Sequence, residues 1–172
     1  ILEPHGKNTA PAIALAALKS LKYNKDPILL ILSSDHKIED EENFKKVIKD
    51  GLFYAQKGSL VTFGVIPNSP ETGYGYIESH QELTKNKTSS KIKKFIEKPN
   101  LEVAKEFIKN KHYLWNSGIF LFKASAILEE LKKYDPQIIK TCNESIEKGI
   151  TDLDFFRINE EAFKKCPNKS ID

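Results

Sequence analysis

The hydrophobic positions of the first third of the chain alternate between helix-like and strand-like patterns. Residues 9–22 form an apolar run rich in Ala and Leu, which predicts a mostly buried helix with Thr9 as its capping residue. Residues 28–32 are five consecutive aliphatic residues, which predicts a central parallel strand covered on both faces. An amphipathic helix is expected over residues 40–57, and the next strand over residues 60–65.

The pattern in the rest of the chain is less regular but still alternates strands with helices. The predicted strands cover residues 74–78, 91–96 and 117–122. The predicted helices cover residues 101–111, 124–134, 136–148 and 154–165. Residues 84–94, rich in Lys, Thr and Ser, are expected to form the solvated tip of a hairpin. Strands and helices joined by short connections predict an α/β fold with a Rossmann-like, doubly wound sheet.

Charge and composition exclude several classes of protein. The chain of 172 residues carries 27 basic and 24 acidic residues, whose interspersed distribution argues against a nucleic-acid polymer as partner. No apolar stretch approaches the ~18 residues that a membrane span needs. Cys142 and Cys166 have no His or Cys at metal-ligand spacing, which indicates reduced thiols in a cytosolic protein. We therefore predict a soluble domain located in the cytoplasm, with no membrane partner.

The first candidate for chemistry is an acidic residue that follows the strand predicted at residues 28–32. Ligands of open α/β sheets bind outside the carboxyl ends of the strands, so Asp35 is well placed to hold a metal ion. Capping of the following loop explains an acid there equally well. Residues 3–11 run from a loop into a helix start, where free N–H groups and the helix dipole favour an anionic or polar ligand.

Two glycines at the start of the strand predicted at residues 74–78 form a second candidate. Gly73 and Gly75 weaken a strand unless a ligand or a backbone comes close to them. A bulge in the strand is the alternative explanation.

Two polar groups further along the chain complete the candidates. Glu97 and Lys98 place a hydrogen-bond acceptor beside a cation, which suits a sugar hydroxyl next to a phosphate, although a surface ion pair would look the same. Asn116 precedes the strand predicted at residues 117–122 and offers an amide with donors and acceptors. Trp115 beside it is interpreted as a core residue.

These motifs, in this order, resemble the bacterial mannose-1-phosphate guanylyltransferases, also called GDP-mannose pyrophosphorylases. The family includes forms fused to a mannose-6-phosphate isomerase domain. The resemblance covers nearly the whole chain, and the matching stretches are residues 3–4 with 8–11, 35–36, 60–64, 70–77, 95–99, 115–123 and 166–167 with 170–172. The resemblance implies a mixed sheet of the nucleotide-diphospho-sugar transferase type.

The resemblance also implies an activity and a set of site residues. The activity is transfer of guanylyl from GTP to mannose 1-phosphate, giving GDP-mannose and pyrophosphate. The residues implied to lie along the guanosine are Asn8, Thr9 and Ala10. Those implied to surround the mannose and its phosphate are Gly73, Gly75, Glu97, Lys98 and Asn116. Asp35 and Asp172 are implied to share a Mg²⁺ ion, and Lys98 to fix the attacking phosphate, so Asp35 and Lys98 are the expected catalytic residues.

Two departures from the family pattern change the expected activity. The Gly-rich, Arg-containing loop that cradles the triphosphate is absent from this sequence, as is a continuation beyond Asp172. Residues 1–172 are therefore expected to form a partial nucleotidyltransferase domain, incomplete at its N-terminus, and to be inactive or nearly so on their own. A sheet that lacks a strand exposes backbone and apolar surface, which predicts association, including formation of a homo-oligomer.

Two other functions stay open on the sequence. The parent protein could act chiefly as a mannose-6-phosphate isomerase, whose metal site would need clustered ligands. The four histidines of this chain are scattered, so that site would lie outside it. The other function is a non-catalytic module that binds a nucleotide sugar. Specificity for mannose and guanine rests on the resemblance alone.

Overall fold

The computed structural model describes residues 1–84 and 87–171. These residues form six helices and seven strands, in the order α1 (Thr9–Leu21), β1 (Ile28–Ile31), α2 (Glu41–Gln56), β2 (Val61–Val65), β3 (Gly75–Ser79), β4 (Ile92–Glu97), α3 (Leu101–Ile108), β5 (Tyr113–Lys123), α4 (Ala124–Tyr134), α5 (Pro136–Glu147), β6 (Ile150–Asp152), β7 (Phe155–Arg157) and α6 (Glu160–Lys164). None of these helices is long and apolar enough to cross a membrane.

The chain divides into two compact units. Unit 1 consists of Ile1–Leu29, Gly58–Leu60 and Phe122–Asp172, and unit 2 of Leu30–Lys57 and Val61–Leu121. The main sheet has the strand order β1-β5-β3-β4, with β2 also paired to β5, and β6 pairs with β7 in a separate two-stranded sheet. Helices and a multistranded sheet in one chain confirm the α/β class.

Unit 1 is built around α1, which packs against α4 and α5. The buried face of α1 is rich in alanine, and small side chains allow neighbouring helices to approach closely. The N-cap of α1 is Asn8, whose side-chain oxygen accepts a hydrogen bond from the N–H of Thr9 at 2.8 Å. The prediction that Thr9 caps the helix is therefore wrong, because the Thr9 hydroxyl accepts its hydrogen bond from the N–H of Ile171 instead.

The strand predicted at residues 28–32 exists as β1, but its burial differs from the prediction. β1 stands at the end of the strand order rather than in the centre. Leu30 is 38% exposed and Leu32 is 50% exposed. An aliphatic run is buried on both faces only where other elements cover both faces. Among residues 1–84 and 87–171, β5 is the one strand that pairs with β1.

The helix predicted at residues 154–165 is wrong in its first half. β6 and β7 pair there as an antiparallel hairpin, and Leu153 in the turn has a φ of 52°. The two phenylalanines of β7 favour a strand. The side chain of Asn159 accepts a hydrogen bond from the N–H of Ala162 at 3.0 Å, which fixes the helix start after residue 159.

The strand predicted at residues 117–122 begins earlier, at Tyr113, so that Trp115 and Asn116 lie within β5 and not before it. A bulge explains why the pattern concealed this. Thr62 of β2 pairs with Phe120, and Gly64 pairs with Asn116. Two positions along β2 thus correspond to four along β5, so β5 carries two extra residues. Gly118 lies in this bulge with a φ of 69°, a conformation that glycine adopts without steric cost.

The two cysteines form no disulfide, as predicted. Both are buried in unit 1, and their sulfur atoms lie 4.0 Å apart. A hydrogen bond between the two thiols raises the pKa of Cys142 and lowers the pKa of Cys166 to about 7. Burial keeps the pair away from solvent.

An aspartate fixes the start of α4 and makes stability depend on pH. Asp26 accepts hydrogen bonds from the N–H and the hydroxyl of Ser125, at 3.0 and 2.8 Å. The backbone hydrogen bond is the largest cause that lowers the pKa of Asp26 below its usual value. A carboxylate whose pKa is lower in the folded state stabilises the protein above its unfolded pKa of about 3.9. That contribution is lost as the pH falls through the folded pKa.

We predict that Asp26→Asn lowers the free energy of unfolding at pH 7 by about 0.5–1.5 kcal/mol, because the charged hydrogen bonds are lost. The difference from the wild type should shrink as the pH falls below about 3.9 and disappear below the folded pKa of Asp26. Urea denaturation across this pH range measures both effects. Asp154→Asn is the matched control, since Asp154 is exposed and makes no hydrogen bond or ion pair with the described residues. A difference that does not shrink as the pH falls below about 3.9 would contradict the prediction.

Candidate functional site

Three of the predicted substrate residues of unit 2 lie in one row across the sheet. Gly75 of β3 pairs with Glu97 of β4, and Asn116 of β5 pairs with Gly64 of β2. The pairing of β3 with β5, continued by one residue, places Gly75 opposite Asn116. Paired residues of neighbouring strands project from the same face of a sheet. Glu97 and Asn116 therefore flank a glycine, at a distance of about 10 Å set by two strand spacings.

Gly75 is required by the close approach of side chains. A Cβ atom on Gly75 would lie 2.8 Å from Oε2 of Glu97 and 2.8 Å from Cζ of Phe95. The irregular register between β3 and β4 falls between Glu78 and Ser79, so a bulge does not explain this glycine. Gly73 differs, because nothing lies within 4 Å of the corresponding Cβ position. Packing within the protein thus accounts for Gly75 and leaves Gly73 unexplained.

Lys98 follows β4 in a strained backbone conformation. Its φ of 43° is uncommon for a residue with a side chain. Its N–H donates to the carbonyl of Tyr74 at 3.2 Å, which holds it beside the start of β3. The Lys98 Nζ atom lies 3.6 Å from Oε1 of Glu97, and more than half of each side chain is exposed. An exposed ion pair of this kind contributes little to stability, so a ligand can displace it at low cost.

Asn116 is oriented by a residue that the sequence interpretation missed. Its Oδ1 accepts hydrogen bonds from the Thr62 hydroxyl at 3.0 Å and from the N–H of Gly118 at 3.4 Å. The bulge in β5 brings Gly118 close enough to make the second bond. Thr62 lies within residues 60–64, one of the stretches that carry the family resemblance. That position is the one sequence signal that could have pointed to Thr62 as a site residue.

Trp115 contacts the loop that precedes β3. Its ring packs edge-to-face against Tyr74, with 5.3 Å between the ring centroids and 84° between the planes. The Nε1 atom of Trp115 is buried without a hydrogen-bond partner among the described residues. Tyr74, by contrast, is half exposed. Trp115 thus serves as a packing surface for the Tyr74 segment, close to the interpretation of it as a core residue.

The predicted nucleotide loop of unit 1 is bound to the far end of the chain. We call residues 7–10 and 169–171 together the terminal junction. The Thr9 Oγ1 atom accepts from the N–H of Ile171 at 2.9 Å and lies 3.3 Å from the Ser170 Oγ. The N–H of Ala10 donates to the carbonyl of Lys169 at 3.1 Å. Segments separated by nearly the length of the chain are thereby held together.

These contacts change the expected role of the helix start. The N–H groups of Thr9 and Ala10 are both occupied within the protein, and Pro11 has none. Ala10 is also buried. The prediction that free N–H groups of residues 3–11 receive an anion is therefore wrong for these three positions. Asn8 is exposed, as are residues 4–6 and Thr9, and its φ of 67° and ψ of −170° fall in a region that is almost confined to glycine.

Of the two predicted metal ligands, Asp35 and Asp172, the structure describes only Asp35. Asp35 lies in an exposed turn after β1 and makes no hydrogen bond or ion pair with residues 1–84 or 87–171. Asp172 lies outside the described residues. No group of three or more His, Cys, Asp or Glu side chains in the described part could hold a metal ion. Mg²⁺ that arrives with substrate phosphates needs only one or two carboxylates, so an unengaged Asp35 fits that ion.

Comparison with known proteins identifies the family. The family model described as "Nucleotidyl transferase" matches residues 1–160. The chain therefore belongs to the nucleotidyl transferase family. It is 52% identical to a mannose-1-phosphate guanylyltransferase of Salmonella montevideo and 47% identical to one of Escherichia coli K12, over 176 residues in each case. All of this chain is matched, and it spans 37% of the length of both relatives.

Solved structures support the same fold. A mannose-6-phosphate isomerase of Helicobacter pylori superposes with a TM-score of 0.82 at 40% identity, over 99% of this chain and 64% of that one. A Thermus thermophilus protein described as a mannose-1-phosphate geranyltransferase superposes with a TM-score of 0.83 at 31% identity, over 100% of this chain and 48% of that one. The predicted resemblance and the nucleotide-diphospho-sugar transferase type of fold are confirmed.

We predict that three glycines of this region respond differently to substitution by alanine. Gly64→Ala should lower the free energy of unfolding by about 1–3 kcal/mol, because its Cβ would lie 2.6 Å from Cδ1 and 2.8 Å from Cβ of Leu114. Gly75→Ala should lower the free energy of unfolding by less, because the atoms that its Cβ would meet lie at the far ends of the Glu97 and Phe95 side chains. Gly73→Ala should stay within about 0.5 kcal/mol of the wild type. Urea denaturation measures the three values, and a largest loss at Gly73 would refute this ranking.

Proposed function

We propose that the protein containing this chain transfers guanylyl from GTP to mannose 1-phosphate, forming GDP-mannose and pyrophosphate. The observation that carries the proposal is 52% and 47% identity over the whole chain to two proteins named mannose-1-phosphate guanylyltransferase. The chain spans 37% of their length, so the activity is proposed for the complete protein. Residues 1–172 would supply the groups that bind the acceptor and a part of the nucleotide site.

The row across the sheet of unit 2 supports binding of a sugar. Sugar hydroxyls need hydrogen-bond acceptors and donors, and a carboxylate at Glu97 and an amide at Asn116 supply these groups. Gly75 between them adds no side chain, which leaves room for the Glu97 carboxylate and the Phe95 ring over its backbone. We propose that this row, together with Gly73, binds the mannose of mannose 1-phosphate.

Lys98 supports binding of the phosphate on that sugar. Its ammonium group is a point cation that suits a phosphate oxygen, and its ion pair with Glu97 is exposed and exchangeable. We propose that Lys98 holds the sugar phosphate while one of its oxygens attacks the α-phosphorus of GTP and pyrophosphate departs. Positioning and charge stabilisation suffice for such a transfer, so no protein nucleophile or general base is needed.

The remaining assignments concern the metal, the nucleotide and the cell compartment. We propose that Asp35 and Asp172 hold a Mg²⁺ ion, which when bound would neutralise phosphate charge. Residues 8–10 would line the guanosine, with the exposed side chain of Asn8 as the direct contact. Two cysteines without a disulfide support a cytoplasmic location, since disulfides are rare there.

An isomerase is the second candidate function, because the Helicobacter pylori protein that superposes on 99% of this chain is described as a mannose-6-phosphate isomerase. We propose that any such activity resides outside the described residues, which hold no cluster of three or more metal-binding side chains. A non-catalytic nucleotide-sugar module is the third. GDP-mannose binding without dependence on Mg²⁺, in a protein that cannot turn over, would favour the module.

We predict that the protein containing this chain releases pyrophosphate when supplied with GTP, mannose 1-phosphate and Mg²⁺. Lys98→Ala should lower kcat/KM by about a hundredfold or more, because an oriented cation at the reacting phosphate is lost. A coupled pyrophosphate assay measures the rate.

Lys46→Ala is the matched control for that variant. Lys46 lies on α2, is exposed, and makes no ion pair with the described residues. Its removal should leave the rate unchanged. No turnover by the wild type would refute the proposed function, and equal rates for Lys98→Ala and Lys46→Ala would refute the role of Lys98.

A further inference from the structure

Thr9 uses its hydroxyl within the protein. The Oγ1 atom accepts from the N–H of Ile171 at 2.9 Å and lies 3.3 Å from the Oγ of Ser170. A hydroxyl has one donor and two acceptor positions, so these two contacts take up most of its capacity. A direct contact between this hydroxyl and a nucleotide would compete with them.

The hydroxyl completes a set of contacts that run along both segments of the terminal junction. The N–H of Lys169 donates to the carbonyl of Lys7 at 3.3 Å, and the carbonyl of Lys169 accepts from the N–H of Ala10. Two residues further along, the N–H of Ile171 finds the side-chain oxygen of Thr9 as its acceptor. The side chain thus acts as an acceptor where the backbone pairing has ended.

The backbone before Thr9 indicates that its position is firmly set. Asn8 adopts a φ of 67° and a ψ of −170°, a strained conformation that persists only where surrounding contacts impose it. The Asn8 side chain accepts from the N–H of Thr9 at 2.8 Å, so the direction of the chain into α1 is fixed. Thr9 can therefore transmit a defined position to the segment that it contacts.

We propose that Thr9 is a positioning residue, whose hydroxyl sets the backbone at Ser170 and Ile171 and does not contact the nucleotide. The next residue in the chain is Asp172, the proposed second carboxylate of the Mg²⁺ site. The functional half of this inference rests on the proposed function. Its structural half, the hydrogen bond from Ile171 to Thr9, does not.

Hydrogen exchange at the Ile171 amide tests the structural half without any substrate. In Thr9→Val, which keeps the shape of the side chain and loses the hydroxyl, exchange at Ile171 should be about tenfold faster. Thr9→Ser keeps the hydroxyl and should restore the slow rate. Thr151→Val, the same substitution at an exposed position on β6, is the matched control and should leave Ile171 unchanged. Thr9→Ala serves as the second variant without a hydroxyl if valine prevents folding, because alanine favours a helix.

Activity measurements on the same variants separate positioning from direct contact. If Thr9 positions the segment, Thr9→Val should raise the half-saturating Mg²⁺ concentration about five- to tenfold and leave the KM for GTP nearly unchanged. Thr9→Ser should behave as the wild type. An unchanged exchange rate at Ile171 in Thr9→Val, or a raised KM for GTP with normal Mg²⁺ dependence, would overturn the inference. If the wild type forms no GDP-mannose, the proposed function fails, and the exchange measurement still decides the role of Thr9.

Discussion

The antiparallel pairing of β5 with β2 and β3 is the constraint on which unit 2 depends. β5 contacts β3 through its first residues and β2 along most of its length. Asn116 pairs with Gly64 of β2 because β5 bulges between Asn116 and Phe120. Gly118 makes the bulge possible through its positive φ. The bulge thereby determines that Gly64 of β2 joins the row of Glu97, Gly75 and Asn116, which the registers of β3 with β4 and β5 set.

The hydrophobic pattern predicted those elements whose burial follows a regular period. The predicted helix at residues 124–134 matches α4 in both bounds, and α1, α2 and α5 end within one residue of their predicted ends. Each buries apolar side chains against other elements at helical spacing, which a period of 3.6 reveals. The hairpin of β6 and β7 was missed because its turn depends on Leu153 in a left-handed conformation, which no periodicity encodes. The exposure of Leu30 depends on strand order, which the local pattern also does not contain.

The candidate site was predictable as separate motifs but not as an arrangement. Gly75, Glu97 and Asn116 were each chosen for their own chemistry, and their common row follows from strand registers that are set by long-range pairing. Residues with a strained backbone also coincide with predicted site residues. Of the three non-glycine residues with positive φ in the described part of the chain, Asn8 and Lys98 were predicted site residues and Leu153 lies in a hairpin turn. Strain of this kind costs about 1–3 kcal/mol per residue and concentrates where ligands bind.

The terminal junction has a consequence for the order in which the chain acquires its structure. Thr9 and Ile171 are 162 positions apart, and a chain emerging from the ribosome presents its N-terminal part first. The Thr9 acceptor is therefore synthesised long before its donor, the N–H of Ile171. In the meantime α1 can pack against α4 and α5. Closing so long a loop is slow compared with forming local helices. The loop at Asn8 should accordingly be among the final parts of the molecule to become ordered, after the helical core of unit 1 has formed.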